Sequence, residues 1–145
     1  MGFAVRRGFN PQDSAAVVRS ILPEWKTGKN DTAAKSKESL YKHIKKKLPG
    51  YPLKKAASPA KGQPKADLLV AHDLAVLVET GVTTKKRLLT VLERLETFRV
   101  WEGKVLVILT GLVDEEMRAR IDDWANAMNN DREFVSEREI IITRF

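Results

Sequence analysis

Asp67 and Glu79 are the residues whose type and spacing point most directly to chemistry. Asp67 opens the apolar run Asp67-Leu-Leu-Val-Ala71, and Glu79 closes the run Leu74-Ala-Val-Leu-Val-Glu79, followed by Thr80 and Gly81. The polar pair His72-Asp73 lies between the runs and suits a turn. In a hairpin the start of one strand lies beside the end of the other, so the spacing sets the two acids side by side on a sheet rim. Adjacent carboxylates repel unless a cation separates them, and a divalent metal ion would serve.

The surrounding pattern supplies the elements that hold such a rim. Asn10-Pro11 reads as a helix cap with proline at the first helical position, opening a helix that runs to about Leu22. Pro23 to Asn30 breaks it. A second helix is predicted from Asp31 or Thr32 to Leu48, with Leu40, Ile44 and Leu48 on one face and Glu38 at its margin. Pro49-Gly50 ends it. Tyr51 to Ala57 is a strand that Pro52 confines to an edge or a strand start. The basic stretch Ser58 to Lys65 is a loop, and the hairpin strands Ala66–Val70 and Leu74–Thr80 follow. The second of these is apolar nearly throughout, as in a strand buried on both faces. Thr83 or Thr84 caps a helix to about Arg99 whose inner stripe is Leu88, Leu92, Leu95 and Phe98. Lys104–Thr110 reads as a further central strand, parallel to Leu74–Thr80 across a right-handed crossover. Asp114 to Asn130 is a final amphipathic helix, and Glu139 to Phe145 a last strand. The order αα-βββ-α-β-α-β makes an α/β mixed sheet of about five strands with helices on both sides.

A chain of 145 residues fits one domain with a substantial core. Its parts are residues 1–30 (helix and loop), 31–110 (core) and 111–145 (final helix and strand). There are no cysteines, which excludes disulfides, thiolate metal sites and a cysteine nucleophile. No apolar run reaches the length of a membrane span, and a cytoplasmic protein is expected. Charge is concentrated. Between Lys35 and Lys65 stand ten lysines against one acid, Glu38, a net +9 within a chain whose total is +7, so the remainder is slightly acidic. Such a run attracts polyanions, nucleic acid above all, although a solvated lysine face is the plainer alternative.

The stretches Lys35-Ser-Lys-Glu38-Ser-Leu40, Pro49-Gly-Tyr51, Ala66-Asp67-Leu-Leu-Val70 and Val76-Leu-Val-Glu79-Thr-Gly81 together resemble the PD-(D/E)xK nuclease superfamily. The layout is most similar to archaeal Holliday-junction resolvases and small restriction-type nucleases, over roughly residues 33–110. The resemblance implies a restriction-endonuclease-like fold and Glu38, Asp67 and Glu79 as catalytic acids. Asp67, Glu79 and the carbonyl of Thr80 would hold magnesium, or manganese, through hard oxygen ligands. Where the family carries the lysine that orients the attacking water, this chain has Gly81, which offers neither charge nor proton acceptor. Lys85 and Lys86 are the stand-ins that sequence proximity offers. The glutamine frequent in the family's next helix falls on Glu93 or Arg94. These departures describe a degenerate site.

The functional expectation is a DNA-binding protein with metal-dependent phosphodiester hydrolysis as its enzymatic form. Lys42, Lys45, Lys46, Lys54, Lys55 and Lys61 would grip phosphates. The alternative keeps the fold without catalysis, as a nucleic-acid-binding or protein-assembly module. A homodimer or a partner protein that completes the site is also consistent with the family. The remaining chemistry is thin. Gly28-Lys29-Asn30 lacks the residues of a phosphate loop, His43 among the helix lysines and His72 in the turn read as surface residues with no zinc spacing, and the serines carry no nucleophile motif. Trp124 and the methionines at helical spacing read as core, and Trp25 as packed rather than free to stack on a base.

Overall fold

The computed structural model describes residues 14–26, 32–58, 61–71, 74–101, 103–131 and 139–144. The Asn10-Pro11 helix start, the Gly28 to Asn30 turn and the His72-Asp73 turn lie outside them. Two helices, α1 (Ser14–Ile21) and α2 (Ala33–Lys47), precede β1 (Leu53–Ala57), β2 (Ala66–Val70) and β3 (Leu74–Thr80). Helix α3 (Lys85–Thr97), β4 (Lys104–Thr110), α4 (Glu115–Asp131) and β5 (Glu139–Arg144) complete the order. This is the element order read from the sequence. The strands form one five-stranded sheet in spatial order β1-β2-β3-β4-β5, antiparallel from β1 to β3 and parallel from β3 to β5.

Local chemistry accounts for the boundaries. Thr32 caps α2 by accepting from the Lys35 N–H at 3.1 Å, and Thr84 caps α3 by accepting from the Arg87 N–H at 3.1 Å. Asp114 caps α4, its Oδ1 accepting from the N–H groups of Glu116 and Met117. The first strand starts at Leu53 rather than Tyr51, because Pro52 fixes φ and lacks an N–H for the ladder. Tyr51 instead turns into the core, and its N–H donates to the Leu48 carbonyl. Helix α3 gives way at Phe98 to a short 3₁₀ turn ending at Val100.

Side-chain alternation splits the core into two layers. On one face Ala75, Leu77, Val105, Val107 and Leu109 pack beneath Leu88, Val91 and Leu95 of α3 and Ile121 and Met128 of α4. On the other Leu68, Val70, Val76, Val78, Leu106 and Ile108 pack beneath Val18 of α1 and Leu40 and Ile44 of α2. Strand β3 is buried along nearly its whole length, which explains its unbroken apolar sequence. Trp124 and Met117 lie at the margin of the first layer, and Trp25 is buried in the second with its indole N–H donating to Ser39 Oγ at 3.0 Å. His43 is more than a surface residue: its Nε2 meets the Ile21 carbonyl at 2.8 Å and ties α2 to the end of α1.

One irregularity positions the site. The β2–β3 ladder pairs Val70 with Leu74, Leu69 with Ala75 and Leu68 with Val76, and there it stops. The next backbone donor along β3, the Val78 N–H, bonds to the Asp67 carboxylate at 2.8 Å instead of to β2 backbone. A side chain thus takes over where the strands fork. On β1, Ala56 stands opposite Asp67 in the register and has φ 46°, a left-handed conformation that costs a non-glycine residue about 1 kcal/mol.

Candidate functional site

Asp67 and Glu79 meet at the mouth of this fork. Asp67 shares the parity of Leu69, and Glu79 that of Leu77 and Ala75, so both point to the α3 face of the sheet. The cation between them is Arg94. Its Nη1 donates to Asp67 Oδ2 at 3.1 Å and to Glu79 Oε2 at 3.0 Å, and its Nη2 donates to Asp67 Oδ1 at 2.8 Å. Arg87, two helical turns earlier on α3, gives Nη2 to Glu79 Oε1 at 2.9 Å and Nε to the Thr80 carbonyl at 3.3 Å. From the opposite side of the fork, Lys37 of α2 places its Nζ 3.1 Å from Asp67 Oδ1.

The carboxylate side chains are nearly buried, Glu79 5% and Asp67 8% exposed, while Arg94 retains 28% exposure. Burial alone would raise the Asp67 carboxyl. Hydrogen bonds from Arg94 and the Val78 N–H, with the charges of Arg94 and Lys37, outweigh it and hold the group below its ordinary value. The Arg94 guanidinium is lowered by burial and raised further by its two acids, for a net rise. A carboxyl depressed on folding adds stability that is complete above its unfolded value, near 4, and is lost as pH falls through the folded value. Urea unfolding below pH 4 is therefore expected to show a steeper acid loss in the native protein than in Asp67→Asn.

The other residues singled out from the sequence lie elsewhere. Glu38 does not join the pair. Its side chain is 45% exposed and accepts from Lys55 Nζ at 2.9 Å, a contact that holds its carboxyl below the usual range. The α2 residue that reaches Asp67 is Lys37, one position earlier. Lys85 and Lys86 are exposed in the first turn of α3, and there Arg87 is the residue that contacts Glu79. Gly81 has φ 63°, and a Cβ added there would meet nothing within 4 Å, so the position has room for a side chain but a backbone that disfavours one.

The donor set does not fit a divalent ion. Both oxygens of each carboxylate, and the Thr80 carbonyl, already accept from arginine, lysine or backbone N–H. Three cations face two acids, so an incoming dication would meet excess positive charge. Among the described residues no three histidine, aspartate or glutamate side chains gather where they could hold a metal.

Sequence reasoning missed Arg87 and Arg94 as partners of the acids, although a signal was present. Residues seven apart on a helix share a face, and this pair borders the buried stripe Leu88, Val91 and Leu95. Two arginines at such a margin are placed to reach a strand-end acid.

The predicted phosphate-gripping lysines cluster in part. Lys42, Lys45 and Lys46 are exposed on α2, Lys54 and Lys55 on β1, and Lys61 in the turn before β2. Strand alternation sends Lys55 to the α2 side and Lys54 to the other. Lys55 and Lys45 both approach the ring of Tyr41, with Nζ 4.7 and 5.7 Å from its centroid. Lys42 lies close enough to Glu38 to help lower its carboxyl. No protein-family model, curated protein or solved structure matches this chain. Among the described residues no helix is long and apolar enough to cross a membrane.

Proposed function

We propose that this protein binds nucleic acid through the lysines of α2 and β1, and that it does so without cutting the strand. The observation that carries this reading is the convergence of Lys45 and Lys55 on the Tyr41 ring, with Lys42 alongside and Glu38 as the acid among them. Like charges drawn together at a surface repel, and a phosphate backbone offsets that repulsion while releasing its own counterions. Lysine ammonium groups act as point charges toward phosphate, which gives affinity without base specificity.

The absence of hydrolysis follows from the acid pair. Asp67 already takes two donors on each oxygen, and each Glu79 oxygen takes one from an arginine, so a metal or a water would have to enter against cations that already occupy the pair. A magnesium-dependent endonuclease is the second reading, favoured by one fact, that Asp67 and Glu79 do meet. Incubation with plasmid and with branched DNA, in chelator and in magnesium or manganese, separates the two. Retardation of both DNAs, with no nicking under any condition, is the expected result. Metal-dependent nicking that disappears in the Asp67→Ala/Glu79→Ala variant would establish the endonuclease instead, and neither retardation nor nicking would defeat both readings.

A further inference from the structure

We infer that the Arg94 guanidinium is this chain's built-in substitute for a divalent cation, and that the acid pair accepts a metal ion only once that guanidinium is removed. Two nearly buried carboxylates need a proton, a metal or an organic cation between them. Here one nitrogen, Arg94 Nη1, stands 3.1 Å from Asp67 Oδ2 and 3.0 Å from Glu79 Oε2, the bridging place a single ion would take. The second nitrogen, Nη2, turns the contact with Asp67 into a two-pronged one at 2.8 Å. A guanidinium has five donors in a rigid fork and stays charged at any working pH, so the neutralisation needs no ion from solution.

The arrangement also excludes competitors. Magnesium and calcium bind oxygen at roughly 2.0–2.6 Å, inside the shell that the arginine nitrogens now fill. Arg87 adds a cation at Glu79 Oε1 and Lys37 a second one at Asp67 Oδ1. Arg94 is itself 28% exposed, so truncating it opens the pair to water and ions from solution rather than leaving a sealed void. The inference concerns only the acid pair and does not depend on whether the lysine face binds nucleic acid.

Manganese serves as the probe, read by the electron paramagnetic resonance of bound ion and by the thermal midpoint of the full chain. Wild type is expected to bind no manganese at Asp67 and to keep its midpoint between chelator and millimolar metal. Arg94→Ala is expected to melt lower in chelator and to recover saturably with manganese, by about 5–10 °C at a hundredfold excess over Kd. Adding Asp67→Asn to Arg94→Ala should abolish the recovery. One manganese per wild-type chain, lost in Asp67→Asn, would overturn the inference. So would an Arg94→Ala chain, folded or unfolded, that shows no response to the metal.

Discussion

Arg94→Ala is expected to lower folding stability in chelating buffer by about 3 kcal/mol, a large share of what a domain of this size possesses. The loss arises less from a broken attraction than from what remains: two nearly buried carboxylates facing each other without the cation that separates them. The partial exposure of Arg94 places the figure at the low end of the range for buried ion pairs, because water can relax toward the gap. Arg87→Ala removes the hydrogen bonds to Glu79 and to the Thr80 carbonyl and leaves Arg94 in place, so a smaller loss of about 1.5 kcal/mol is expected there. The neutral triple variant Asp67→Asn/Glu79→Gln/Arg94→Gln should recover much of the Arg94→Ala loss, since the charges vanish together. Urea unfolding followed by tryptophan fluorescence measures all three. A loss below about 1 kcal/mol for Arg94→Ala would show that the clamp is peripheral to stability.

Lys45→Glu/Lys55→Glu is expected to weaken nucleic-acid binding by about tenfold or more at moderate salt. The same variant should reduce the slope of log affinity against log salt by about two, one for each phosphate that no longer has a lysine to neutralise it. Both lysines approach one ring from different elements, so reversing them replaces the centre of the basic face with acid beside Glu38. Lys54→Glu, on the opposite side of the edge strand, is the internal comparison and should cost less. Fluorescence anisotropy with a labelled duplex reads each variant. Equal losses for the double variant and Lys54→Glu would move the interface away from Tyr41.

Particular residues show what the sequence exposes and what it hides. The limits of β2, β3 and β4 were legible because each is a dense apolar run cut off by an acid, a turn pair or a glycine. The meeting of Asp67 and Glu79 was legible because antiparallel geometry converts a short separation into neighbourhood. What lies between them was not, since a long side chain such as Arg94 selects its partner by tertiary position. The pairing of Asp67 with the Val78 N–H was hidden for a related reason, since it depends on where two strands cease to pair. Glu38 misled because helical phase puts residues 37 and 38 about 100° apart, so that Lys37 reaches Asp67 while Glu38 faces Lys55. His43 looked like one more polar residue of a lysine helix, yet its bond to the Ile21 carbonyl needs α1 packed alongside.

The most direct trial of the nucleic-acid role is a salt titration of wild-type affinity for a duplex, in chelator, from low to physiological ionic strength. Contacts from Lys42, Lys45, Lys46 and Lys55, with Lys54 or Lys61 added, should give a log–log slope of about −3 to −5. Affinity that is undetectable, or that stays level as salt rises, would contradict a phosphate-gripping face and leave the lysines as solvated surface charge.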